Sequence, residues 1–302
     1  MTIDRRAVVV VTHNPSLRDL KRTVDTIRAA EALVILIDNS SPGADLDSVG
    51  ADVIVQDGVN RGVGWAHNEG VRQAAESGRH IVMFLDQDST IRTGVLRDLL
   101  LEASGKMRAD ASVCAVAPLL VDSSSGRPLL FRQGLLRTTL MEVPVPIDRP
   151  MEAPFLPTSG MVVLTERFWE VGAFREDFFI DHVDREWGMR AVEMGYRLLV
   201  LSSSRVEHEL GDFTVNSKGR SGFFHSSTDR DYYLKRNTIL MMRAGRGSRL
   251  WRLGELAFAV ASTVKCYATD PTRASAMLNG LFDGMSGRGG KRETKQSKAV
   301  AL

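Results

Sequence analysis

Cysteine is nearly absent from this chain. Only Cys114 and Cys266 occur in 302 residues; each lies in an apolar setting, which argues against a disulfide framework and for a reducing compartment. No uninterrupted apolar run approaches the ~18 residues that a membrane span needs. Near the start, Arg5 and Arg6 precede an apolar run of residues 7–11 only, too short for the core of a signal peptide and better read as a first strand. Repeats and low-complexity tracts are missing. No Gly-x-Gly-x-x-Gly follows the first strand, which disfavours a dinucleotide fold of the dehydrogenase type. The expectation is a cytoplasmic protein, peripheral to a membrane at most.

What remains is ordinary for a globular chain: 43% hydrophobic and 25% charged residues, enough to bury one full core with or without an appendage. The net charge of +2 conceals an asymmetry. From Lys218 onward 16 Lys and Arg face 6 Asp and Glu, a balance of +10, so the first 217 residues carry −8. A basic C-terminal third fits an anionic partner such as lipid head groups, nucleic acid or a diphosphate-linked substrate. Its bland alternative is a solvated tail, and residues 287–302 read as a disordered basic one.

The organising stretch is residues 81–90, IVMFLDQDST. Five apolar residues read as a strand buried on both faces, and two acids, Asp86 and Asp88, stand where it leaves the core. A parallel sheet binds its ligand just outside the carboxyl ends of its strands, where Asp-x-Asp puts oxygen ligands within reach of a hard divalent cation. Strands at residues 7–12, 33–37, 53–55 and 81–85 alternate with helical segments, one capped by Ser16, which predicts a parallel sheet of βαβ units. Thr12 and Asn14, Asp38 and Asn39, then Asp86 and Asp88 make a polar rim at successive strand ends. Asn60, Gly62 and Gly64 precede a helix over residues 65–76, where backbone amides can approach a phosphate. Further strands are expected over residues 113–121, 161–164 and up to His208. Residues 141–157 hold five of the ten prolines and read as a loop, as do residues 211–227. Residues 181–194 read as a helix that sets Asp181, Asp184 and Gly188 on one face. In the last third Leu250, Leu253, Leu256, Val260, Val264 and Tyr267 make a helical apolar stripe beside Arg249, Arg252 and Lys265, read first as a packing face and second as a membrane-surface one.

From Val8 to about Asn237 these motifs, in this order, resemble the family 2 glycosyltransferases of the GT-A fold, in particular the rhamnosyltransferase-like branch. They are Val-Thr-His-Asn-Pro ending at Pro15, Asp38-Asn39-Ser40-Ser41, Asn60-Arg61-Gly62, Asn68-Glu69-Gly70 and Leu85-Asp86-Gln87-Asp88. Phe179 to Trp187, His208-Glu209-Leu210-Gly211-Asp212 and Tyr232 to Asn237 complete the set. The resemblance implies an α/β fold with a mostly parallel central sheet flanked by helices. It divides the chain into a catalytic domain over residues 1–227, with a nucleotide-binding half to about residue 120, a helical extension over 228–286, and the tail. It implies inverting sugar transfer from a nucleotide diphosphate donor, best matched by dTDP-rhamnose, to a saccharide or lipid-linked acceptor in cell-surface polysaccharide synthesis. Nucleic acid is not an expected partner, and the C-terminal helices leave room for a homo-oligomer.

Residue by residue, the resemblance assigns the nucleotide to Thr12, Asn14, Asp38, Asn39, Asn60, Gly62, Asn68 and Asp86. It assigns the metal, Mn2+ or Mg2+, to Asp88 and His208 with Asp86 beside them. Asp184 matches the catalytic base, and because Val183 stands where many members carry a second acid, Asp181 is the fallback. Arg236, Asn237 and Trp187 are expected near the acceptor or diphosphate. The chemistry agrees: a carboxylate must take a proton from the acceptor hydroxyl. A helix N-terminus is expected to keep Asp184 ionised. Two rivals share the Asp86-x-Asp88 signal. One is a phosphohydrolase of the haloacid dehalogenase type, which carries it on a first strand rather than a fourth; the other is a non-catalytic sugar-nucleotide-binding protein.

Overall fold

The computed structural model describes residues 5–87, 89, 91–122, 126–143, 149–208, 212–215, 221–224 and 227–292. Strand β1 (Arg6–Thr12) leads to helix α1 (Leu17–Ala29), which Ser16 caps by accepting from the Asp19 N–H. Then come β2 (Leu33–Asp38), β3 (Val53–Gln56), α2 (Val63–Glu76), β4 (Ile81–Asp86), α3 (Thr93–Ala109) and β5 (Val113–Asp122). A hairpin of β6 (Pro128–Gln133) and β7 (Thr138–Glu142) is followed by β8 (Met151–Glu152), β9 (Val162–Leu164), α4 (Thr165–Val171), α5 (Val183–Glu193) and β10 (Arg197–His208). The short pair β11 (Asp212–Val215) and β12 (Ser221–Phe224) precedes three helices, α6 (Thr228–Arg243), α7 (Arg249–Tyr267) and α8 (Pro271–Met285).

The central sheet runs β3-β2-β1-β4-β9-β5-β10-β8. β1 pairs in parallel with both β2 and β4. β9 is antiparallel to β4 and β5, and β10 runs parallel to β5. The carboxyl ends of β1, β2, β4, β5 and β10 therefore share one edge. Alternate residues of the buried strands feed two cores: Val8, Val10, Ile81 and Met83 face α1 and α3, while Val9, Val82 and Phe84 face α2, α4 and α5. Continuous apolar runs are what such double burial requires.

Several expectations change on contact with the fold. Residues 141–157 contain the end of β7 and all of β8, and the 211–227 segment contains the β11–β12 pair. Helix α5 begins at Val183, because His182 is its left-handed cap and Asp181 lies outside with φ 64°; Asp181 therefore does not share a helical face with Asp184. Of the apolar stripe of α7 only Leu256 packs inward, against Ile239, Ala259 and Leu281. The buried face of the helix is Trp251, Glu255, Ala259 and Thr263, chosen by the bulk of Trp251 and by a buried ion pair of Glu255, so Leu253 and Val264 stay 62% and 66% exposed. The tail reading fails for residues 287–292: Gly290 donates to the Asp177 carbonyl at 2.6 Å and the Arg292 amide to the Tyr233 hydroxyl at 2.7 Å. Among the described residues no helix is long and apolar enough to cross a membrane.

Candidate active site

The strand ends open onto a cleft of about 210 Å³. Thr12, Asn39, Asn60, Gly62 and Asp86 of the predicted rim line it. So do His13 and Gln87, which lock β1 to β4: the His13 amide donates to Gln87 Oε1 at 2.7 Å and the Gln87 amide donates back at 3.2 Å. Both neighbours of the motif residues were in plain view in the sequence. His67 forms part of the wall from α2, and burial lowers its pKa to about 4, so it is a neutral ring packed edge-on against Phe84. Phe179 and Ile180 close the opposite side.

Asn39 shapes the turn that leads into α2. Its side-chain oxygen accepts from the Arg61 and Gly62 amides at 2.9 and 3.3 Å. Gly62 has φ 90°, and a Cβ there would overlap the Phe179 backbone; this turn needs glycine for both reasons. Asp38 stands behind the wall. It is 1% exposed, and its oxygens accept from the Thr12 hydroxyl at 2.9 Å and from the Ser41 amide and hydroxyl at 2.8 and 2.5 Å. Asp38 thus orients Thr12 and the second strand end. Asn14 is exposed beside them, its amide donating to Ser41 Oγ. Asn68 is also set back, bridging α2 to the Phe174 amide and carbonyl at 2.8 and 3.0 Å.

Two further acids follow Ile180 in the chain. Asp184, half-buried in the first turn of α5, accepts from the Arg185 amide at 2.7 Å. Its pKa is raised to about 6, first by burial and then by the like charges of Asp181 and Asp86, against the pull of that amide. The helix N-terminus does not keep it low, as the sequence led one to expect: withdrawal from water and carboxylate neighbours outweigh the dipole. At pH 7 roughly nine-tenths of it is still ionised. Asp181 is held by the Arg230 guanidinium at 2.6 and 3.3 Å, a partner 49 residues away with no local sign in the sequence. His182 is neutral because burial, Arg185 and Lys235 all lower its pKa. The Thr238 hydroxyl donates to the Leu234 carbonyl, so it accepts from His182 Nε2 at 3.1 Å.

Three expected contacts with the acceptor or diphosphate turn out to be internal. Trp187 is 0% exposed, stacked on Phe168, with its indole N–H on the Gly172 carbonyl at 2.9 Å; it is core. Arg236 and Asn237 are 1% and 0% exposed. Arg236 donates to the Asp177 and Phe178 carbonyls at 3.0 and 2.7 Å, and Asn237 to those of Phe178, Ile180 and Asp181 at 3.0, 2.7 and 2.8 Å. They clamp the loop that carries Asp181 and leads into Asp184.

Among the described residues no three His, Cys, Asp or Glu side chains are grouped to hold a metal. Asp88 lies outside the described residues, and so does the side chain of His208, although the His208 backbone ends β10 on the same sheet edge as Asp86. Asp86, whose charge contributes to the raised Asp184 pKa, offers the kind of oxygen ligand that suits Mg2+ or Mn2+.

Residues 7–144 match the family model described as glycosyl transferase family 2. Over 284 residues, 92% of this chain and 94% of the relative, the sequence is 28% identical to the dTDP-rhamnosyl transferase RfbF of Shigella flexneri. Over residues 7–144 the chain is similar to the family 2 glycosyltransferases. Solved structures agree on the fold. The Staphylococcus aureus TarS fragment 1–349 superposes with a TM-score of 0.56 over 94% of this chain and 81% of its own, at 16% identity. GalNAc-T7 with UDP, GalNAc and Mn2+ superposes at 0.59 and 17% identity, over 80% of this chain and 48% of its own, so this glycosyltransferase spans about half of that protein. The architecture is GT-A.

Proposed function

We propose that this glycosyltransferase transfers L-rhamnose from dTDP-rhamnose, with inversion, to a saccharide or lipid-linked saccharide acceptor in cell-surface polysaccharide synthesis. The observation that supports the mechanism is that Asp86, at the end of β4 and lining the cleft, is near enough for its charge to help raise the pKa of Asp184 on α5. The donor sugar comes from the likeness to the dTDP-rhamnosyl transferase RfbF. Thr12, Asn39, Asn60 and Gly62 receive the nucleoside and its phosphates, and Asp86 stands beside the ribose. Asp88 and His208, with Asp86, would hold Mn2+ or Mg2+; when bound, such an ion neutralises charge on the departing nucleoside diphosphate as a Lewis acid.

Asp184 accepts the proton of the acceptor hydroxyl as that oxygen attacks the anomeric carbon. A pKa of about 6 suits a base at neutral pH, ionised at rest and still basic enough to take a proton. Asp181 is tied to Arg230, which favours Asp184 over it for this role. A phosphohydrolase using Asp86 as nucleophile is disfavoured, since three strands precede β4. The test is a panel of nucleotide sugars screened for thermal stabilisation with and without Mn2+, followed by transfer assays with dTDP-rhamnose. Metal-dependent stabilisation by dTDP sugars supports the reading; stabilisation by none, or phosphomonoester hydrolysis without transfer, would overturn it.

A further inference from the structure

The segment that follows α8 returns to the donor cleft. We infer that Lys291 on this segment is a donor-binding residue, its ammonium contacting the diphosphate of the nucleotide sugar. The inference rests on the glycosyltransferase reading above and adds to it a residue from the far end of the chain.

Residues 287–292 are held by their main chain. The Gly290 amide donates to the Asp177 carbonyl at 2.6 Å, and the Gly290 carbonyl accepts from Arg236 Nη1. The Arg292 amide donates to the Tyr233 hydroxyl at 2.7 Å. Two glycines make this approach possible. A Cβ at Gly289 would lie 2.7 Å from that of Asp177, and Gly290 has φ 81°. The backbone of Lys291 is thus pinned on both sides, while its side chain stays exposed.

What it is pinned against is a wall of the cleft. The loop that holds the segment continues into Phe179 and Ile180, which line the cleft. Phe179 stacks on Tyr233 at 5.2 Å, and the Lys291 ammonium lies 5.9 Å from the Phe179 ring centroid. Neighbouring cations are committed elsewhere. Arg292 pairs with Asp229 at 2.8 Å, Arg230 with Asp181 at 2.6 Å, and Arg61 with Asp57 at 2.6 Å. Among the described residues Lys291 has no carboxylate partner. An exposed contact with a ring is weak, and a phosphate oxygen replaces it readily.

The cleft has need of such a charge. Backbone amides of the turn into α2 are already engaged: those of Arg61 and Gly62 donate to Asn39 Oδ1, and that of Val63 to the Phe179 carbonyl at 2.7 Å. A diphosphate seated against that turn therefore draws its charge balance from elsewhere. It also enters beside the carboxylate of Asp86, which repels it. A divalent ion would offset part of this charge. Lys291, a compact cation with three donors on a flexible stem, offsets more of it. Because its backbone is fixed before any ligand arrives, little further ordering is required on binding.

The test titrates dTDP with Mn2+ into the full chain by calorimetry, with a charge series at one position. Lys291→Met should bind dTDP about tenfold more weakly than wild type, Lys291→Glu more weakly still, and Lys291→Arg nearly as well. The salt dependence of binding should flatten in Lys291→Met, since one screened attraction is gone. All three variants should melt with wild type, because the Lys291 side chain holds no part of the fold. Unchanged dTDP affinity in Lys291→Met and Lys291→Glu would overturn the inference. So would a loss that comes with a lower melting temperature and that Lys291→Arg fails to recover, which is the mark of a structural role. A flat dTDP curve in wild type counts against the donor assignment instead. UDP and GDP would then be titrated with Mn2+, and the series judged by the same outcomes with the diphosphate that binds; binding of none would overturn both readings.

Discussion

Asn237 donates its side-chain amide to the main-chain carbonyl of Asp181 at 2.8 Å, across 56 residues of sequence. Asp181 is one of three non-glycine residues with positive φ in four positions: Phe179 at 64°, Asp181 at 64° and His182 at 61°. Each such conformation costs on the order of 1–3 kcal/mol. The bonds from Asn237 and Arg236 to the carbonyls of this loop offset that strain. What the strain accomplishes is the sharp entry into α5, in whose first turn Asp184 feels the charge of Asp86.

Asn237→Ala should therefore act at a distance. It removes three bonds to buried carbonyls and should destabilise the protein by about 2–4 kcal/mol, measured by urea unfolding. Turnover should fall by more than dTDP affinity does, because the loop aims Asp184 and touches the donor cleft only through Phe179 and Ile180. A variant with wild-type stability and kcat would disprove the clamp.

The Asp184 carboxyl sets the acid limb of the pH profile. With a pKa of about 6, kcat/KM should drop about tenfold per unit below pH 6. Asp184→Asn should abolish transfer at every pH while dTDP and Mn2+ still bind.

Stability should run the other way. The folded pKa of Asp184, about 6, lies above the ordinary aspartate value of about 3.9, so its protonated form stabilises the fold below about pH 4 and that contribution is lost as pH rises through 6. Asp184→Asn should accordingly melt higher than wild type at pH 8. Equal melting temperatures at pH 8 and a flat rate profile between pH 5 and 8 would contradict the assignment.

Asp181 and Arg230 should tune that limb. Asp181→Asn removes a like charge near Asp184, so the limb should shift to lower pH with transfer retained. Loss of transfer at all pH values would move the base to Asp181. Arg230→Gln leaves Asp181, 6% exposed in its side chain, without its counterion. The limb should then shift upward, with a stability loss on the order of 3 kcal/mol.

At the second strand end, Asp38→Ala should cost about 2–3 kcal/mol by stranding Thr12 and Ser41 in a buried site. It should weaken dTDP binding through Thr12 and the disturbed turn. Asp38→Asn keeps the shape and should recover most of the stability, as a thermal melt would show.

Much of this molecule is written locally. The runs Val8 to Val11 and Ile81 to Leu85 could only be doubly buried strands, and a parallel sheet sends their polar ends to one edge, so Thr12, Asn39, Asp86 and the cleft were legible in order along the chain. Asp184 was legible as an acid at a helix start. Which residues touch the cleft and which hold it was decided by tertiary contacts alone. Arg236 and Asn237 read as binding residues until their burial against residues 177–181 made them a clamp, and Trp187 disappeared into the core. The stripe of α7 has the spacing of a packing face, yet Trp251 and the Glu255–Arg185 ion pair turned the helix the other way. Periodicity reports that a helix has two faces; only the partners gathered from distant segments determine which face is buried and where a carboxylate's pKa comes to rest.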